Sequence, residues 1–315
     1  MKKKVICAGL VSAALLITGC SDASHPANAI TSIGYTEINN ITGGKLDTEY
    51  SYTVKYGETL HIKDGETLLI NGLLNCKDGG NIVIDKGGSL MINGQVELSG
   101  CLTLDRGGEL LLAEGSKLYG SGTASISSFN DIDCAGDFTA HIAPPEPVTK
   151  NGITTVGDVL IVNKKYSLPR DYGSELNPEA ASALDGMRAD SGYEMPLISG
   201  FRSYEKQESV FAAWCARDGV ERASTYSARP GHSEHQSGLA MDITSLEQSY
   251  GITGEGKWVA ENCYKYGLIL RYPRGKYTTT GYIYEPWHLR YLGKSTAKLV
   301  HDSGLTLEEF LGVEG

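Results

Sequence analysis

Glycine recurs in three interleaved series between residues 57 and 119, and this period constrains the fold of the N-terminal half more than any other feature. Gly57, Gly80 and Gly100 form one series, Gly65, Gly88 and Gly108 a second, and Gly72, Gly94 and Gly115 a third, in steps of 20 to 23 residues. Short apolar segments lie between them: Thr59 to Ile62, Thr67 to Ile70, Asn81 to Ile84, Ser89 to Ile92, Gln95 to Leu98, Cys101 to Leu104 and Glu109 to Leu112. Three short strands per period is the pattern of a β-solenoid. One such coil cannot bury its own apolar face, so about three must stack, and the sequence offers three. A small β-sandwich of meandering hairpins is the alternative that even strand spacing also allows. Asp64, Asp78, Asp85 and Asp105 precede glycines at the turns, where both residue types serve turn geometry. A calcium-binding array would need a fixed repeat of two glycines and one aspartate, and these turns do not keep one. A spacer or a cell-wall-binding role is expected of this region.

The rest of the chain divides around that repeat. Lys2, Lys3 and Lys4 precede the apolar run Val5 to Ile17, which is too short and too promptly ended for a membrane span and reads as a signal peptide over residues 1–19. Ile17-Thr18-Gly19-Cys20 resembles a bacterial lipobox, which implies lipidation of Cys20 and a lipid anchor on the outer side of the cell membrane. Residues 20–56 are expected to be a tether, 57–140 the solenoid, 141–149 a stiff linker around Pro144, Pro145 and Pro147, and 150–315 a separate domain. The net charge is −10, with 7 basic and 17 acidic side chains in residues 20–149. That balance argues against nucleic acid as a partner. Without Cys7 and Cys20, five cysteines remain, an odd number that makes a poor disulfide framework, and Cys215 and Cys263 sit in apolar helical patterns as buried thiols.

Two segments of the C-terminal half carry chemistry. Ser233-Glu234-His235-Gln236-Ser237-Gly238-Leu239-Ala240-Met241-Asp242 is followed some forty-five residues later by Glu285-Pro286-Trp287-His288. Two imidazoles and a carboxylate, His235, His288 and Asp242, make the three-protein-ligand set of a catalytic zinc site, which keeps one position open. Glu285 is the spare carboxylate, placed to take a proton from the attacking water. Residues 239–243 read as a strand with Leu239, Met241 and Ile243 facing the core and Asp242 the other side. Helices are expected over 177–187, 203–217 and 256–267. In an unbroken strand Glu285 and His288 would point to opposite faces, so the chain must bulge or bend at Pro286 for both to serve one site.

Ser-x-His-x-x-Gly-x-Ala-x-Asp followed by Glu-Pro-Trp-His resembles the pattern of VanY-type D-alanyl-D-alanine carboxypeptidases. The segments Ser199 to Gln207, Arg229 to His232, Tyr266-Gly267, Arg271 to Pro273 and Trp287 to Tyr291 agree with it, over about residues 157–295. The resemblance implies an α+β zinc peptidase with a central antiparallel sheet behind the all-β solenoid. It implies that His235, Asp242 and His288 bind Zn2+, that Glu285 is the general base and then the acid, and that Arg202 polarises the scissile carbonyl. Ser233 and Gln207 would hydrogen-bond the substrate. His232 is not at a ligand position and is expected near the substrate or behind a ligand, and Trp287 is expected to wall the site.

The expected activity is hydrolysis of the terminal D-alanine of peptidoglycan stem peptides by a membrane-anchored, extracytoplasmic monomer, with DD and LD specificity both open. The rival is a non-catalytic cell-wall-binding lipoprotein that keeps the peptidase fold; a retired enzyme usually loses a ligand or the base, and none is missing here. A closed structural zinc site would need a fourth protein ligand, and no cysteine lies near either motif.

Overall fold

The computed structural model describes residues 35–315, so the expected signal peptide and Cys20 lie outside the described residues. The chain separates into two compact units, the second running from Pro144 to Gly315.

The first unit is a β-solenoid of three parallel sheets with six, five and five strands. Hairpins join antiparallel neighbours, so a wholly parallel ladder leaves the β-sandwich alternative without support. Successive coils place like on like: Leu68, Leu90 and Leu110 form one inward ladder and Ile70, Ile92 and Leu112 the next, all buried. The glycines have two separate causes. Gly87 adopts φ 79°, a left-handed turn that disfavours side chains. Gly94 sits so close to the coil below that a Cβ would lie 2.3 Å from the Asn71 carbonyl oxygen.

The coils extend beyond the glycine period in both directions. Thr36–Ile38, Lys45–Leu46 and Tyr50–Val54, within the expected tether, already pair as strands. At the other end His141–Ala143 is the last solenoid strand, and Pro147–Lys150 opens a three-stranded antiparallel sheet of the second unit. The expected linker is thus reduced to the prolines between two strands.

In the second unit a four-stranded antiparallel sheet has the spatial order Leu197–Ser199, Ala240–Ile243, Glu285–Tyr291, Leu268–Tyr272. Helices Pro178–Ser191, Tyr204–Asp218 and Gly254–Asn262 lie close to their expected positions. Asn177 caps the first through Oδ1 with Pro178 following, Ser203 caps the second, and Thr253 the third, each supplying an acceptor to first-turn amides. Met241, Ile243, Trp287 and Leu289 point from the central strands into one hydrophobic cluster with Leu184, Met187 and Val259. Strand alternation sends Asp242, His288 and Arg290 to the other face. Trp287 therefore belongs to the core behind the sheet and not to a wall of the site, a correction that follows from its odd-numbered place beside His288. Cys263 is buried as expected, whereas Cys215 is only half-buried, because the Tyr204–Asp218 helix buries Gln207 alone fully.

Candidate active site

The two central strands bring the ligand set together directly. Asp242 and His288 are opposite partners in the antiparallel register, and His235 comes from a short 3-10 turn, Glu234–Ser237, that leads into the Ala240–Ile243 strand. His235 Nε2 lies 3.1 Å from Asp242 Oδ2, and His288 Nδ1 lies 3.1 Å from Asp242 Oδ1. One ligand atom from each of the three residues falls within 4.8 Å of the others, and all three residues are buried. Asp242 Oδ1, although 3.1 Å from His288 Nδ1, accepts no well-aligned hydrogen bond, which leaves a buried carboxylate oxygen for something else to satisfy. A divalent cation between these atoms would do so, and two imidazoles with one carboxylate suit zinc. Burial alone would raise the Asp242 carboxyl, but the two imidazoles outweigh it and hold it far below the usual range, so it is an anion ready to bind metal.

The other nitrogen of each histidine is already engaged, which fixes the ring orientations. His235 Nδ1 is 2.8 Å from the Gly200 carbonyl oxygen. His288 Nε2 faces Glu234 Oε2 at 3.4 Å. Glu234 was not singled out from the sequence, yet it is the hub of the site's support. Its Oε1 accepts from Arg271 Nε at 2.8 Å and from Arg290 Nη1 at 2.7 Å. Arg271 also donates from Nη1 to Glu308 Oε2 at 2.8 Å, and Arg290 from Nη2 to the Leu160 carbonyl at 2.6 Å. All four charged side chains are essentially inaccessible to solvent. A buried network of this kind holds only when its members are mutually satisfied. The motif Ser233-Glu234-His235 carried the only available signal, an acidic residue directly before a ligand.

Glu285 and His288 do share one side, for the reason expected. Leu270 pairs with Leu289 and Tyr272 with Glu285, so three residues of one strand, Pro286 to His288, face the single Arg271 of the other. The strand bulges there, which re-aims its side chains. Glu285 Oε2 consequently lies 3.8 Å from His288 Nδ1. Burial pushes the Glu285 carboxyl up to about 8, against the pull of His288, Lys164 and Arg202. A carboxyl titrating near neutrality can both take and return a proton.

Arg202 reaches the same place from the start of the Tyr204–Asp218 helix, with Nη2 3.7 Å from Asp242 Oδ2. Its Nη1 donates to Gln207 Oε1 and its Nη2 to Ser199 Oγ, both at 2.8 Å. Gln207 is wholly buried, and its Nε2 donates to the Ala228 carbonyl at 2.6 Å. With both ends of its amide used inside the protein, Gln207 orients Arg202 and is not free to bind substrate as expected. Ser233 is buried at the entrance to the 3-10 turn, and no side-chain capping bond engages its hydroxyl. His232 Nδ1 lies 2.8 Å from the Asn163 carbonyl oxygen, and the ring is held below its usual pKa chiefly by burial.

Comparison with known proteins matches the part of the chain that holds these residues. The family model described as VanY, D-alanyl-D-alanine carboxypeptidase, matches residues 173–294. YodJ of Bacillus subtilis (strain 168), named a carboxypeptidase, is 43% identical over 178 residues, 48% of this chain and 65% of that protein. The chain thus spans just under two thirds of that relative's length. VanXYC of Enterococcus gallinarum, a bifunctional D-Ala-D-Ala dipeptidase and D-Ala-D-Ala carboxypeptidase, is 31% identical over 150 residues, 44% of this chain and 79% of that protein. The solved structure of the LdcB LD-carboxypeptidase, a study of peptidoglycan recognition, superposes with a TM-score of 0.50 at 40% identity over 54% of this chain and 96% of that one. These relatives and the solved structure each cover about half of this chain, and the family model less.

Proposed function

Because the chain belongs to the VanY family of D-alanyl-D-alanine carboxypeptidases, we propose that it is a zinc-dependent carboxypeptidase that removes the terminal D-alanine from peptidoglycan stem peptides, held at the outer face of the membrane by a lipid on Cys20. The observation that carries this reading is the convergence of His235, Asp242, His288, Glu285 and Arg202 on one buried point. When bound by the two histidines and Asp242, zinc supplies Lewis-acid polarisation of the scissile carbonyl and of water.

The chain's own residues do the rest. Glu285 takes the proton of the attacking water and returns it to the departing amine, the role that its place beside the ligands allows. Arg202, clamped by Gln207 and Ser199, presents a fixed cation where negative charge develops on the carbonyl oxygen. Glu234 and the Gly200 carbonyl keep the imidazoles aimed. The bulge at Pro286 sets Glu285 beside the ligands and not behind the sheet.

Incubating the purified chain with muropeptides ending in D-Ala-D-Ala and with tetrapeptides ending in one D-alanine tests the activity. Release of D-alanine, identified by mass, from either substrate supports it and assigns the specificity; release from neither, with zinc bound, overturns it. Lipid on the mature N-terminus and loss of membrane retention in Cys20→Ser test the anchor.

A further inference from the structure

A carboxypeptidase must tell a chain end from an internal peptide bond, and the group that marks the end is the terminal carboxylate. The groups around the ligand set do not take that anion. Arg202 is clamped by Gln207 and Ser199 and faces the scissile carbonyl, and Asp242 and Glu285 repel a third carboxylate.

One half-buried cation beside them has no such commitment. Lys164 lies in the loop that follows the Val159–Leu160 strand. Two neighbours fix this loop: His232 Nδ1 is 2.8 Å from the Asn163 carbonyl oxygen, and Arg229 Nη2 donates to the Lys164 carbonyl at 3.2 Å. The side chain runs past Gly281, where a Cβ would lie 2.9 Å from both Lys164 Cγ and Cε, so the missing side chain makes the room that the stem fills. Nζ ends 3.7 Å over the centre of the Tyr282 ring and donates to the Ser224 carbonyl. Tyr282 packs on Tyr272 with 4.5 Å between ring centres, and Tyr272 on His288 with 4.8 Å. The ammonium therefore stands at the end of a short stack of rings that begins at a metal ligand.

Its charge reaches the general base. Burial raises the Glu285 carboxyl, and among the cations that oppose this Lys164 comes after His288 and ahead of Arg202. An ammonium has three donors, and the Ser224 carbonyl uses one of them. Among the described residues no carboxylate forms an ion pair with Lys164 or with Arg229 beside it. Burial first, and Arg229 second, disfavour the charge of Lys164. A cation kept where the fold penalises it, without an acidic partner and next to a catalytic cleft, has the marks of a ligand-binding group.

We propose that Lys164 binds the terminal carboxylate of the substrate and thereby selects peptides that end in a free D-alanine. This rests on the carboxypeptidase reading above. Consecutive Cα atoms are about 3.8 Å apart, so the last residue of a peptide is a short bridge. With its scissile carbonyl at Arg202 and its carboxylate at Lys164, it brings the departing nitrogen to Glu285, on which both cations act.

The test uses the zinc-loaded full chain at pH 7, where Lys164 carries its charge, and one stem peptide in two forms, ending in D-alanine or in D-alanine amide. Wild type is expected to prefer the acid by about 10–100-fold in kcat/KM, the range of one hydrogen bond to a charged group. Lys164→Met is expected to reduce that preference to within about threefold of unity, through a higher KM for the acid, while kcat/KM for the amide stays within about threefold of wild type. Equal cleavage of acid and amide by wild type overturns the carboxylate anchor without recourse to any variant, and leaves the carboxypeptidase reading standing. A Lys164→Met enzyme that keeps the preference, or that binds zinc yet loses activity on both peptides alike, also overturns it, since the lysine would then serve only Glu285 or the fold. Cleavage of neither form by zinc-loaded wild type overturns the carboxypeptidase reading, and the anchor with it.

Discussion

In the proposed mechanism metal binding and proton transfer are carried by different carboxylates, and single substitutions separate them. Asp242→Ala is expected to abolish zinc binding, because two imidazoles hold the ion far more weakly than three ligands. Glu285→Gln should keep zinc while turnover falls about 10²–10⁴-fold, the usual contribution of a general base; metal analysis beside the peptide assay checks both. Glu234→Gln leaves the buried Arg290 without a counter-charge and Arg271 with Glu308 alone. It should cost about 3–5 kcal/mol in urea unfolding and weaken zinc about 10–100-fold. Lys164 shows the reverse problem, a half-buried cation that donates to the Ser224 carbonyl and sits over the Tyr282 ring at 3.7 Å. Burial, helped by Arg229, lowers it from 10.5 to about 8 against the pull of Glu285. Between pH 8 and 10.5 the unfolded chain therefore binds more protons than the folded one, so this lysine makes stability rise with pH across that window, and its penalty is complete below pH 8. Urea midpoints at pH 7 and pH 9.5 should accordingly differ by a larger upward step in the wild type than in Lys164→Met. Of these residues, Asp242, Glu285 and the histidines were legible from motif spacing. Glu234 was not, since its arginines lie 37 and 56 positions away and only the folded sheet brings them together.

At the scale of elements, the glycine period was readable because each coil needs small residues where backbones touch. Gly94→Ala would force a Cβ to 2.3 Å from the Asn71 oxygen, and such overpacking is expected to cost about 1–3 kcal/mol, seen as a lower melting temperature of the first unit. The strands before Gly57 carry no such punctuation. Lys45–Leu46 is two residues long, and Tyr50–Val54 mixes polar with apolar side chains, so only their parallel pairing to later coils reveals them. The bulge at Pro286 was anticipated from a conflict between strand alternation and the chemistry required of Glu285 and His288. Its form depends on Arg271, which holds the opposite strand through Glu234 and Glu308.

For the whole molecule, the division at Pro144 places all of the candidate active site in residues 144–315. That fragment is expected to be soluble, to bind one zinc and to hydrolyse the same peptides as the full chain; insolubility or loss of metal would mean that the solenoid completes its core. The solenoid is periodic along its own axis. Leu73 and its partner Gln95 are one coil apart, 22 positions along the chain, and each coil adds one strand spacing of about 4.8 Å. Its length is therefore graduated. Excising those 22 residues would shorten the unit by a single step with every inward ladder still in phase, whereas removing an odd number from within a strand would turn its aliphatic residues out into water. The length of the unit can change only by whole coils, much as a ruler is cut at its marks.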